Sequence, residues 1–326
     1  MLALSFMIPQ RRSFPIPWMG AILAYAILTT VLLFFREPQR NVLNNLFVGL
    51  VLIKVLSERV SLNFKTVGNL LAVFCLINCL WIVLQIYNLD PVYSSAMPQN
   101  MPQVDRVGMM GLKANLGVLA ALSFPLIFQA GWWKTIVCIP LLWFGRSSTC
   151  VLAFSVTALF VLWFTNRPIF WAALLVLIAA GIWYVGFVDM PSGQFSKRLK
   201  VWFAGIRILS GSNPSFGNGL GSWPTFKFTT IQENGSPETW VWAHNTFLQW
   251  LFEMGVIGTI ILYGYFRAMA SKLRIGILEH RVALSFMIPV VIVSFFHFPL
   301  HIARFAGLIC YMFASTEALV YEGAKA

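Results

Sequence analysis

Residues 66–88 contain no charged side chain, and neither do residues 168–188. A bilayer core of about 30 Å is crossed by roughly 20 apolar residues at about 1.5 Å each. Runs of this length satisfy their own backbone only as helices, because lipid offers no hydrogen-bond partner. The whole chain follows the same rule. It is 59% hydrophobic and 10% charged, against about 25% charged residues in soluble domains. The sequence therefore predicts an all-α, polytopic integral membrane protein: one domain over 1–326 with about ten spans. The expected spans are 17–35, 41–57, 66–88, 114–131, 133–145, 147–165, 168–188, 245–266, 281–298 and 302–321.

Basic residues orient these spans. The 267–281 connection carries Arg267, Lys272, Arg274 and Arg281, which places it in the cytoplasm by the positive-inside rule. Counting back puts Arg167, Lys134, the Lys54/Arg59/Lys65 group and Arg11-Arg12 inside, with both termini. Only Arg36 and Arg40 fall on the other side. Arg11 and Arg12 follow the apolar Met1–Pro9 stretch, whereas a signal peptide puts its charges first. The formal charge of +12 is spread over short connections, so it serves topology and anion contacts and no nucleic acid is expected. The five cysteines lie in apolar runs and read as small buried residues.

The 189–243 connection is expected outside. Loops longer than about 12–15 residues are functional or disordered, and this one is too rich in tryptophan, phenylalanine and glycine for disorder. It is predicted to carry short helices. Lys197–Leu209 has amphipathic spacing, with Val201, Trp202, Ile206 and Leu209 on one face and Lys197, Lys200 and Arg207 largely on another. Such a helix is expected on the membrane surface. Gly217-Asn218-Gly219-Leu220-Gly221 reads as a turn.

Few residues remain for chemistry. A charge at mid-bilayer costs roughly 2.5–3.5 kcal/mol, so cations beside spans need a reason. Arg146, Arg198, Arg207, Arg106 and Lys113 all fall on the predicted outer face. A guanidinium fork matches phosphate oxygens and stays charged, so several of them predict a site for a phosphorylated anion; snorkelling to lipid headgroups is the plainer role for any one alone. His244 joins them where the long connection meets a span. An imidazole with an unperturbed pKa of about 6.5 is a base at neutral pH, and capping the helix from Asn245 is its plainer role. Gly255 and Gly258 read as close helix packing. Glu253 lies inside that span and reads as support for the site. His297 and His301 have helix-face metal spacing, but Pro299 stands between them. Asp189, Glu233 and Glu238 form no metal cluster. No metal or cofactor is expected, which leaves arginine to neutralise any phosphate.

The order of these residues resembles a known pattern. His244-Asn245, nine residues, then Gly255-x-x-Gly258 resembles the signature of the bacterial O-antigen ligase family, which includes related O-antigen polymerases. Arg106-Val107-Gly108 with Asn115-Leu116-Gly117, then Gly145-Arg146-Ser147-Ser148-Thr149, then Arg198-x-x-x-Trp202 with Gly217–Trp223, resemble further family segments in order. The resemblance covers about 100 to 267 and implies a GT-C-type membrane glycosyltransferase. It implies transfer of a glycan from undecaprenyl diphosphate to an acceptor hydroxyl at the periplasmic face of the bacterial inner membrane, without a metal and with inversion. His244 would deprotonate the acceptor. Arg146 and Arg198, with Arg207, would hold the donor diphosphate, and Asn245, Gly255, Gly258, Trp202 and Arg106 would support the site. The acceptor would be lipid A core, another lipid-linked repeat or a protein. A transporter for an anionic lipid and a membrane scaffold are the readings from other classes.

Overall fold

The structure is a computed structural model that describes residues 64–87, 89, 108–110, 113–187, 192–231, 237–274, 277–296 and 303–323. The spans expected at 17–35 and 41–57, and also Arg106, His297 and His301, lie outside the described residues. Each of the other eight expected spans overlaps an α-helix. These helices are α1 (Phe64–Ile86), α2 (Lys113–Ala130), α3 (Cys138–Gly145), α4 (Ser148–Thr165), α5 (Arg167–Phe187), α7 (Thr246–Ala270), α8 (Leu278–Phe296) and α9 (Ala303–Gly323). Among the described residues, α1, α2, α4, α7 and α8 are long and apolar enough to cross a membrane. The span expected at 133–145 is instead a 3-10 turn over Trp132–Val137 followed by the short α3. Pro140, which has no N–H to donate, sits in the first turn of α3 where none is needed.

The chain divides into two compact units, one of Val60–Leu177 with Leu284–Val293 and one that includes Ile178–Ala283 with Ser294–Ala326. In the first, α2 is central, with every residue from Asn115 to Ile127 buried. Its neighbours approach closely, since a methyl group on Gly145 would lie 2.6 Å from the Gly117 nitrogen. Buried amides in this unit are bonded, as burial without a partner would cost free energy. The Asn78 oxygen accepts from the Met109 N–H at 3.0 Å, and the Asn115 amide donates to the Met110 carbonyl at 3.0 Å. The outer face of α1 exposes Leu70, Val73, Leu76 and Leu80, a surface suited to lipid.

The second unit holds the 189–243 connection, which is not a set of short helices alone. It contains α6 (Ser192–Gly211), a 3-10 turn at Trp223–Phe226 and an antiparallel hairpin of β1 (Phe228–Ile231) and β2 (Pro237–Trp240). The hairpin corrects a purely helical expectation. Phe228 pairs with Trp240 and Thr230 with Glu238, so alternate residues face inward and the aromatic pair is buried. Lys197 of α6 pairs with Glu238 of β2 at 3.4 Å.

The burial of α6 also differs from the expected one. Val201 and Leu209 are buried as predicted, but against protein, in a cluster with Trp223, Phe228, Trp240, Ala243 and Phe252. Ile206 is exposed with Phe203, on the side that carries Lys200 and Arg207. Amphipathic spacing locates the apolar side; it does not say whether protein or lipid covers it.

Candidate active site

α7 begins at Asn245, whose side-chain oxygen accepts the Leu248 N–H at 2.9 Å. This is N-capping, worth about 1 kcal/mol. Asn245→Ala is therefore expected to lower stability by about 1 kcal/mol, and Asn245→Asp by less, as measured by thermal unfolding in detergent.

Immediately before the cap, His244 adopts a left-handed backbone with φ 52. That region costs a non-glycine residue roughly 1–3 kcal/mol and persists only where surroundings enforce it. The neighbouring Ala243 shows how. Its carbonyl accepts from the Trp202 indole N–H at 2.6 Å, and its N–H donates to the Gln249 side-chain oxygen at 3.3 Å. The His244 ring meets Trp240 edge to face, with centroids 5.2 Å apart, and the Trp240 indole N–H donates to the Thr230 hydroxyl at 2.7 Å. The histidine is thus fixed from α6, α7 and the hairpin together. The supporting aromatics are packed on one another, with Trp223 4.4 Å from Phe228 and 5.0 Å from Phe252.

Arg198 lies one turn before Trp202, on the same face of α6. Its Nη1 donates to the Phe296 carbonyl at 3.1 Å. Its Nε is buried and meets no hydrogen-bond partner among the described residues. Burial pulls this guanidinium below its ordinary pKa, since desolvation disfavours charge and an anion would restore it. Arg207 follows nine residues later, half a turn round in phase, and is exposed. It faces away from Arg198 and Trp202, so α6 does not bring the two arginines together. Arg146 belongs to the other unit, where it ends α3, exposed, with φ 46.

The two glycines expected to pack helices act otherwise at position 255. Gly255 breaks α7 with φ 66 and ψ −171, a backbone region open essentially to glycine alone. The break exposes main-chain groups that the turn after α6 then occupies. Asn218 and Gly219 donate to the Phe252 and Glu253 carbonyls at 3.0 and 2.9 Å; Val256 and Ile257 donate to the Pro214 and Ser215 carbonyls at 2.9 and 3.1 Å. Gly217 makes this approach possible, as a methyl group there would lie 2.5 Å from the Gly255 nitrogen. Gly258 is buried within the helix that follows.

Gln249 and Trp240 were not among the sequence candidates. Gln249 was detectable as half of an amide–acid pair four residues apart with Glu253 in an apolar span, where polar side chains are rare. Trp240 had no such signal, because its role depends on the hairpin. Among the described residues, no three His, Cys, Asp or Glu side chains stand together as metal ligands would.

Residues 105–263 match the family described as O-antigen ligase. Over that stretch the chain is similar to the O-antigen ligase family. The match includes α6, the hairpin, His244, the α7 break and also Arg146. The match and the five helices of membrane-crossing length point to a multi-pass, glycan-processing membrane enzyme of the ligase or polymerase kind. No curated protein matches the chain.

Proposed function

We propose that the protein transfers a glycan from undecaprenyl diphosphate to an acceptor hydroxyl at the periplasmic face of the bacterial inner membrane, as a ligase. The observation that carries this reading is the enforced left-handed His244, fixed at a helix start beside an α6 face that also presents Arg198. His244 takes the acceptor hydroxyl proton as its oxygen attacks the anomeric carbon. The bond from that carbon to the diphosphate oxygen breaks, and the electron pair leaves with the diphosphate. Attack opposite the leaving group inverts the anomeric centre.

The leaving diphosphate requires charge stabilisation more than a proton. Arg198 is suited to it, being positively charged and carrying a buried Nε–H that meets no partner among the described residues. Arg146, considered within its own unit, is an exposed guanidinium at a helix end and is open to an anion. Arg207 is exposed on the opposite side of α6 with Lys200 and Phe203, a face suited to lipid headgroups.

Ligase and polymerase differ in the acceptor, which sets the test. Lipid-linked intermediates extracted from a deletion strain are expected to be long glycans still carried on undecaprenyl diphosphate. Single repeats in their place would instead make the enzyme a polymerase. Unchanged intermediates would remove the transferase reading.

A further inference from the structure

Glu253 is 1% exposed, a little over two turns into α7 from the cap. Among the described residues, each hydrogen bond of its carboxylate connects it to a part of the site. One oxygen accepts the Gly221 N–H at 2.8 Å. The other accepts the Gln249 amide at 3.0 Å and the Trp223 N–H at 3.4 Å. Gln249 is oriented by this contact. With its NH2 committed to Glu253, its oxygen is turned to the Ala243 N–H at 3.3 Å. Ala243 directly precedes the histidine. An unbroken path therefore runs from the turn at Gly221 through Glu253 and Gln249 to the N–H of Ala243, the residue before His244.

We propose that Glu253 is a positioning residue for the reaction, acting through Gln249 to set the direction of the His244 imidazole. The proposal rests on the reading of His244 as the base. The polarity of the path makes the acid specific. A carboxylate only accepts, and it receives three donors. A glutamine at 253 would place an NH2 against at least one of those donors or release Gln249 to turn over, removing the acceptor from Ala243. A base displaced by about 1 Å loses roughly a hundredfold in rate, while a donor bound elsewhere keeps its affinity.

Three variants of the full-length protein in nanodiscs test this, with undecaprenyl-diphosphate-linked glycan and acceptor lipid extracted from the producing cells as substrates. Release of undecaprenyl diphosphate is the readout. Glu253→Gln is expected to lower kcat about tenfold or more with donor KM within about twofold. Gln249→Leu is expected to do the same while leaving the Gly221 and Trp223 bonds to Glu253 in place; it also strands the buried Ala243 N–H, so a lower melting temperature accompanies the loss of kcat. The exchange Gln249→Glu with Glu253→Gln rebuilds the path from Gly221 to Ala243 with its polarity reversed at the middle bond, at the loss of the 3.4 Å Trp223 bond, and should recover part of kcat. Wild-type kcat in Gln249→Leu overturns the proposal, as does an exchange variant no faster than either single one. If Glu253→Gln fails to accumulate, Gln249→Leu decides alone. His244→Ala serves as the control. Full turnover in that variant takes down the base reading and this proposal together, whereas a dead His244→Ala beside a fully active Gln249→Leu removes the positioning role only.

Discussion

His244→Ala is expected to abolish glycan transfer while the protein still inserts. A positioned general base contributes about 10²–10⁴ in rate, so undecaprenyl diphosphate release should fall by at least about a hundredfold. Insertion should survive because it is driven by the apolar helices, none of which includes position 244. The lost contact with Trp240 is a single edge-to-face pair, worth about 0.5–1.5 kcal/mol. His244→Asn is the companion variant, since asparagine tolerates a left-handed backbone but is no base. Both should show normal membrane fractionation, and glycan ladders should be lost. A normal ladder from either would sink the base assignment.

Gly255→Ala is expected to damage the protein itself. The substitution forces alanine into φ 66, ψ −171 and puts a methyl group 2.5 Å from the Gly217 nitrogen and from the Ser215 carbonyl oxygen. All of those atoms are backbone, so no side chain can swing aside. Strain of roughly 1–3 kcal/mol is joined by loss of the bonds between the turn at 213–219 and α7, for a total of about 3 kcal/mol or more. Lower accumulation and an earlier thermal transition in detergent would register it. Gly211→Ala is the contrast, because a methyl group there meets nothing within 4 Å. Equal behaviour of the two variants would remove the argument.

The sequence yielded the features that depend on transfer into lipid and on local capping. The apolar runs became α1, α2 and α4 within a few residues of their expected limits, because a misplaced charge in a bilayer is costly wherever it falls. His244-Asn245 was legible because an N-cap is a one-turn interaction. What could not be read depends on distant chain. Ile206 and Val201 are equally apolar, and only the hairpin and α7 decide that Val201 is covered and Ile206 is not. The hairpin was hidden by the short length of its strands. Gly255 was assigned to helix packing because spacing reveals small residues without revealing φ. Arg198 and Arg207 were grouped by charge and predicted side of the membrane, whereas helical phase separates them. Gln249 is legible as an amide four residues from Glu253, but its link to Ala243 depends on the folded chain.

The break at Gly255 also says where this protein may be cut and rejoined. By its hydrogen bonds, the stretch from Thr246 to Met254 belongs with the connection before it, although it shares an axis label with the helix after it. A chimera joined at Asn245 would divide the histidine from the amide and acid that orient it. One joined just beyond Gly255, carrying 192–255 whole, would move the histidine with its mounting. The unit that holds the proposed base therefore ends inside a nominal transmembrane helix, at a glycine.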